Sequence, residues 1–197
     1  PAEKIGISLL GPGLVVALSC GLLGGLFSRL LFVSLSGGAG DWFSRQRRRY
    51  PIYFAAGCGL AVAVIGLATH GTTFGGGYQH TRSMLEGSGD AAPFYVVLKF
   101  IATWVTAWSG VPAGIFAPAL AIGGGLGNDI AQWTDHAQTA TLIALGMAGF
   151  LAAVTQAPMT AFVIVMEMVD GHNLVLSMMA CALLSSAVSR LVSAPLY

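Results

Sequence analysis

The chain has 197 residues, of which 55% are hydrophobic and only 9% are charged. A soluble domain carries about 25% charged residues, so this chain has too little polar surface to cover a globule in water, and we expect it to be embedded in lipid. The net charge of +1 gives no long-range field that would favour nucleic acid as a partner.

Long stretches without Asp, Glu, Lys or Arg follow one another along the chain. They cover residues 5–28, 51–81, 100–128, 136–166 and 171–189. A membrane-spanning helix needs about 20 apolar residues, and three of these stretches are long enough to contain a helix pair or a broken helix. The sequence therefore predicts an all-α integral membrane protein, with no separate soluble domain within residues 1–197.

Polar segments separate the apolar stretches. We interpret residues 36–51, 80–93 and 128–139 as loops, and residues 169–173 as a tight turn between two apolar helices. The first loop contains four arginines, which would mark a cytoplasmic loop by the positive-inside rule.

Two further single residues have an interfacial interpretation: Trp133 as an anchor at the membrane surface, and Glu167 as a solvated carboxylate near the turn.

The cysteines and histidines give no sign of a metal or a disulfide. Cys20, Cys58 and Cys181 all lie in apolar stretches, and their odd number and wide spacing favour buried free thiols. The four histidines are scattered without the spacing of metal ligands. We therefore expect no cofactor and no metal. Small residues such as those at positions 21 and 25, and at 57 and 59, are typical of close helix packing in lipid.

The most informative stretch is "SGVPAGIFAPALAIGGGLG", residues 109–127, which combines repeated glycines with two prolines and has no charge. Irregular backbone at membrane depth is tolerated where protein buries it or a polar cavity receives it, which predicts a helix that begins inside the membrane. Such a helix start presents unpaired N–H groups and the positive end of the helix dipole, both favourable for an anion. Ile115 and Phe116 would supply the amides, Gly114 a sharp turn, and Pro118 the first helical turn.

No lysine or arginine is nearby in the sequence, and we interpret this absence as suited to a transported anion, because a full positive charge could hold the anion too tightly. The alternative interpretation is a kinked, glycine-packed helix that binds nothing. Ser109 leaves a weak enzymatic alternative, an intramembrane serine hydrolase, although no G-x-S-x-G motif surrounds it.

Residues 109–127 resemble the second-half signature of the CLC family of chloride channels and proton-coupled chloride transporters, with Ala113 where that family usually has a second glycine. Three further segments resemble the same family in order and spacing. They are "FGGGYQ" (residues 74–79), "AAVTQAPMTAFVIVMEMVDGHNL" (residues 152–174) and "APLY" (residues 194–197).

The resemblance implies one repeat of an inverted-repeat fold with re-entrant and tilted helices. Only the second repeat is matched, so the first repeat, with its gating and proton glutamates, would lie elsewhere. The chain would then be half of a protein, or the rest would be on another polypeptide. The topology that the resemblance implies places the arginine-containing loop on the outer face, against the positive-inside rule, so membrane sidedness stays open.

The resemblance also implies function and partners. The expected activity is chloride transport, as a channel or a proton antiporter, in a bacterial inner membrane and without enzymatic activity. Tyr197 would donate its hydroxyl to the anion, the alternative being an interfacial anchor. The expected assembly is a homodimer, with apolar contacts from Leu22, Leu26, Ile164, Leu174 and Leu183. A non-transporting, truncated half remains the competing hypothesis.

Overall fold

The computed structural model describes residues 7–36, 42–87, 94–134, 138–170 and 172–193. These residues form nine α-helices, which confirms the predicted all-α class. The helices are α1 (Ile7–Ser36), α2 (Trp42–Arg49), α3 (Pro51–Ala68), α4 (Tyr78–Leu85), α5 (Tyr95–Trp108), α6 (Phe116–Trp133), α7 (Thr139–Thr155), α8 (Pro158–Met168) and α9 (Val175–Val192). A short 3-10 turn, His172–Leu174, precedes α9.

Each of the three longest uncharged stretches is broken, as the sequence predicted. Residues 51–81 contain α3, a glycine-rich loop and the start of α4. Residues 100–128 contain the end of α5, a non-helical segment and the start of α6. The third stretch divides between α7 and α8 at Gln156, whose left-handed backbone (φ 59°) ends α7.

Within the described residues, three helices are long and apolar enough to cross a bilayer: residues Leu10–Ser34 of α1, all of α3, and all of α9. Helices α5, α7 and α8 are apolar but shorter. This mixture of full-length and short apolar helices fits the prediction of a membrane fold that includes partial and re-entrant helices.

Helices α6 and α7 form the centre of the core, and nearly every residue of both is buried after the first turn. Glycines permit their contact: a Cβ at Gly123 would collide with the carbonyl of Gly146, and one at Gly127 would collide with the carbonyl of Leu142. The two backbones therefore touch directly, which is how helices associate in lipid without a hydrophobic driving force.

Helices α1 and α9 pack on α7 and on each other. The glycines at positions 21 and 25 lie against α9, as predicted. Buried hydroxyls join the same helices: Ser185 Oγ donates to the Ala17 carbonyl at 2.9 Å, and Ser189 Oγ donates to the Ala153 carbonyl at 2.7 Å. A Cβ at Gly57 or Gly59 would have no neighbouring atom within 4 Å among the described residues, so the close packing predicted there stays a prediction.

The predicted loops are shorter than expected, because polarity indicates solvent exposure but not the absence of a helix. Residues 42–49 form α2, and Arg47 in this helix donates to the carbonyls of Ser34 (3.1 Å) and Trp108 (3.4 Å), near the ends of α1 and α5. The second predicted loop begins inside α4, and the third begins inside α6, which continues to Trp133. The Trp133 side chain is 90% exposed, as an interfacial anchor would be.

Candidate functional site

The candidate site is built around the first turn of α6, which begins at Phe116 with Ile115 as its N-cap. The first intrahelical hydrogen bond runs from the Ala119 N–H to the Ile115 carbonyl at 3.0 Å. The N–H groups of the four positions before that bond have no acceptor within a helix. One of these positions is Pro118, which has no N–H, so three such groups are present. The helix start therefore presents the amides of Ile115, Phe116 and Ala117.

Sequence reasoning named Ile115 and Phe116 and placed Pro118 in the first helical turn, which is where the structure has it. It missed the Ala117 amide, which follows once the helix start is fixed at Phe116. The Phe116 side chain is 47% exposed, whereas residues 119–128 of the helix are all buried. At its N-terminal end, α6 is thus open to a ligand only in the first turn.

The backbone turn that requires glycine lies at Gly110 rather than at Gly114. Gly110 has φ 80°, in the left-handed region, whereas Gly114 is not among the residues with positive φ. A Cβ at Gly114 would meet no atom within 4 Å. Gly114 therefore contributes open space beside the helix start, and Gly110 provides the change of direction after α5.

A cavity of about 320 Å³ adjoins the start of α6. Its wall includes Gly114 and Ile115 on one side, and Lys99 and Thr103 of α5 on another. The glycine-rich loop, which we define as residues 71–77, contributes a third side between α3 and α4. The cavity therefore brings together segments far apart in sequence, all facing the helix start that the sequence identified.

Lys99 corrects the expectation that no lysine or arginine lies near the helix start. Its side chain is only 2% exposed, and Nζ donates to the carbonyls of Thr73 at 2.8 Å and Gly75 at 2.6 Å. Among the described residues, no carboxylate pairs with it. The available sequence signal was a single lysine inside the apolar helix Tyr95–Trp108, since charged groups within membrane helices are rare and functional by default.

Two more polar atoms near the glycine-rich loop have no hydrogen-bond partner among the described residues: Tyr95 Oη and His80 Nε2, both buried. The two rings lie against each other, with centroids 4.3 Å apart. His80 belongs to the short helix α4, and burial, together with the positive charge of Lys99, lowers the pKa of its imidazole. The region around Lys99 is therefore polar, buried and incompletely hydrogen-bonded.

Tyr197, together with the whole segment 194–197, lies outside the described residues, so its predicted hydroxyl contact stays a prediction. Two other candidate residues of the sequence, Ser109 and Glu167, lie at the ends of helices. Ser109 Oγ donates to the Thr106 carbonyl at 2.6 Å and accepts the Val111 N–H at 3.3 Å, which occupies it at the end of α5. Glu167 is exposed at the end of α8, as a solvated carboxylate would be.

The thiols are buried and unpaired at all three cysteines, as the sequence predicted. In the described part of the chain, no group of three or more His, Cys, Asp or Glu side chains is arranged to hold a metal ion. The free main-chain amides at the start of α6 and the ammonium of Lys99 in the cavity wall suit an anion rather than a cation.

A family model described as voltage gated chloride channel matches residues 2–190 of this chain. The H(+)/Cl(-) exchange transporter ClcA of Cronobacter sakazakii (strain ATCC BAA-894) is 32% identical over 204 residues, which cover 93% of this chain and 41% of that protein. The voltage-gated ClC-type chloride channel ClcB of Escherichia coli O9:H4 (strain HS) is 29% identical over 185 residues, which cover 88% of this chain and 43% of that protein.

The crystal structure of a CLC-type fluoride/proton antiporter has a similar fold, with a TM-score of 0.79 at 21% identity. The match covers 97% of this chain and 46% of that structure. This chain therefore spans about two fifths of the length of the curated relatives that it matches.

Proposed function

Because the chain belongs to the voltage gated chloride channel family, as its sequence resemblance predicted, we propose that residues 1–197 are the C-terminal half of a membrane domain that transports chloride or a similar small anion. The observation that carries the proposal is the start of α6, where three amides without helical acceptors lie beside a cavity that Ile115 and Ala117 line. Amides at a helix start bind an anion without the tight hold of a salt bridge, so the anion can also leave.

In this proposal the amides of Ile115 and Phe116, joined by that of Ala117, hold the anion through hydrogen bonds. Pro118 starts the helix without adding a donor, and Gly114 keeps the approach to the amides open. Tyr197 supplies a further donor, because a dehydrated anion in a low-dielectric site needs several hydrogen bonds. A phenol suits that role, being neutral at physiological pH and carrying one O–H on a rigid ring.

The proposed complete subunit includes a first repeat, supplied by the same or another polypeptide. Two such subunits would form a homodimer in a bacterial inner membrane. The candidate contacts from this chain are the side chains of Leu22, Leu26 and Leu183, which are exposed, and of Ile164 and Leu174, which are half-buried. The relatives are named both as an exchange transporter and as a channel. The glutamates that would decide between these activities belong, in this proposal, to the first repeat.

We assign no enzymatic activity to this chain. The relatives are named as transporters and channels. The hydroxyl of Ser109, the candidate nucleophile, is engaged with the main chain at the end of α5. The competing hypothesis, a half that does not transport, is distinguished by measuring flux.

The decisive experiment reconstitutes the full-length polypeptide into liposomes loaded with chloride and follows chloride release with a selective electrode. Release well above that of empty liposomes, reduced by competing bromide or nitrate, is the expected result. Repeating the assay with a proton gradient and a pH-sensitive dye separates proton-coupled exchange from passive conduction. Liposomes that release chloride, bromide, nitrate and fluoride no faster than protein-free liposomes would refute the proposed function.

A further inference from the structure

We propose that Lys99 is the fixed positive charge that sets the anion affinity of the cavity at the start of α6. The inference rests on the proposed function, because it takes the occupant of the cavity to be the transported anion. It adds a determinant that the main-chain amides do not provide, namely a full charge buried beside the pathway. It also replaces the expectation from the sequence that only the partial charges of main-chain amides attract the anion at this site.

The first support is that Lys99 is buried without a counter-charge. Its side chain is 2% exposed, and the acceptors of its Nζ are the neutral carbonyls of Thr73 and Gly75. An ammonium has three N–H donors, and these two bonds occupy two of them. An isolated ammonium away from water is very costly, and an anion in the adjoining cavity would offset that cost.

The second support is the position of Lys99 in the wall of the cavity. The same 320 Å³ space is lined by Lys99, by Gly114 and by Ile115. A fixed cation and a helix start that face one cavity both lower the energy of an anion within it, and their effects act together. No anionic side chain lines this cavity among the described residues, so nothing there opposes them.

The third support is that the glycine-rich loop fixes the lysine tightly. At Gly77 the backbone is left-handed (φ 81°), and a Cβ there would lie 2.6 Å from Ala121 Cβ, 3.0 Å from Tyr95 Oη and 3.4 Å from Lys99 Cε. The loop therefore packs against the lysine stem as well as accepting its hydrogen bonds. The nearby Tyr95 hydroxyl has no partner in the described structure, so the region holds unused donor capacity besides the charge.

A purely structural role is the alternative: Lys99 would only hold the glycine-rich loop through its two hydrogen bonds. Three substitutions separate that role from the charge. Lys99→Gln keeps an amide that donates to carbonyls but removes the charge, Lys99→Met removes both, and Lys99→Arg keeps both. Ser185→Ala is the matched control, because it deletes one buried hydrogen bond to a main-chain carbonyl at the contact of α1 with α9.

The experiment uses the full-length polypeptide and measures chloride binding by titration calorimetry in detergent and chloride release from liposomes. The charge hypothesis predicts that Lys99→Gln and Lys99→Met both weaken chloride binding by about tenfold or more, whereas Lys99→Arg and Ser185→Ala stay within about threefold of the parent. Size-exclusion profiles and melting temperatures show which variants remain folded, and Lys99→Gln is the decisive one because it retains the donors.

The outcomes separate the inference from the proposed function. If the parent binds and releases chloride and Lys99→Gln binds chloride as tightly as the parent, Lys99 is only a structural latch and the inference is wrong. If the parent shows neither binding nor release, the proposed function fails, and the inference fails with it. A bromide-soaked crystal of the parent should also show an anomalous peak in the cavity beside Lys99; an empty cavity at saturating bromide would contradict the inference.

Discussion

At position 116 a main-chain N–H can be removed without breaking a helix hydrogen bond, which makes it a direct test of an amide ligand. Phe116 is the first residue of α6, and the first intrahelical bond begins only at the Ala119 N–H. Proline is well accommodated at the first position of a helix, because its missing N–H would have no helical acceptor there. Phe116→Pro therefore deletes one proposed donor to the anion and breaks no helix hydrogen bond. It also disfavours the αR backbone of Ile115 (φ −96°, ψ −14°), so the helix start of the variant is checked by circular dichroism.

The expected loss follows from the kind of bond removed. A hydrogen bond to a charged group contributes about 1.5–3 kcal/mol. Since each 1.4 kcal/mol corresponds to about a tenfold change in Kd, Phe116→Pro should weaken chloride binding by about 10- to 150-fold. The assay is calorimetric titration of the full-length polypeptide with chloride, with bromide as a second anion.

Phe116→Leu is the matched control, because it changes the side chain and keeps the N–H. The Phe116 side chain is 47% exposed, so replacing it with another apolar side chain should change the chloride Kd by no more than about threefold. Circular dichroism and elution profiles verify that both variants keep their helices. Equal chloride binding by Phe116→Pro and the parent would refute the amide ligand, and an equal loss in both variants would assign the effect to the ring.

Three further predictions concern the remaining donor, the assembly and the core. Tyr197→Phe should weaken chloride binding by about tenfold or more, because it removes one donor to a charged group, and Tyr197→Ala should also speed chloride release. If calorimetry and flux measurements of both variants match the parent, the tyrosine is only an interfacial anchor. Ile164→Trp combined with Leu183→Trp should shift the full-length polypeptide from dimers to monomers on cross-linking, and unchanged dimers would contradict the proposed interface. Gly127→Ala should lower the melting temperature, because its Cβ would collide with the α7 backbone. Gly57→Ala is the control and should leave the melting temperature unchanged, because its Cβ would meet no described atom within 4 Å. Similar melting temperatures of the two variants would contradict the α6–α7 packing.

The features that could be predicted from sequence are those encoded by local composition. Scarcity of charge indicates a membrane protein, and glycine or proline within a long apolar run indicates a broken helix. The helix start at Phe116 could be placed because proline at position 118 suits only the first turn. The family resemblance, which the family match over residues 2–190 confirms, then gave the expected order of the segments.

The features that could not be predicted depend on which segments meet in three dimensions. Lys99, Thr73 and Ile115 are widely separated along the chain, and only the packing of α5 against α6 and the glycine-rich loop brings them to one cavity. The glycines illustrate the same limit. Spacing indicates that a helix can approach a neighbour closely, but it does not identify the neighbour. Gly21 is packed against α9, while Gly57 has no neighbour within 4 Å in the described part of the chain.

The arrangement of donors explains why transport and a non-transporting half remain distinct hypotheses for one chain. The described residues offer an anion three amides at positions 115–117, and the charge of Lys99 at one side of the cavity. Residues 111–114, just before the helix start, are exposed, so the opposite side of the proposed site has no cover from the described part of this chain. An anion in a site that is open on this side keeps part of its hydration shell, because the missing donors would otherwise leave its charge unpaired. Transport requires the protein to replace those waters along the pathway. The proposed transport therefore requires a second segment over residues 111–116, and the two hypotheses differ in whether such a segment is present.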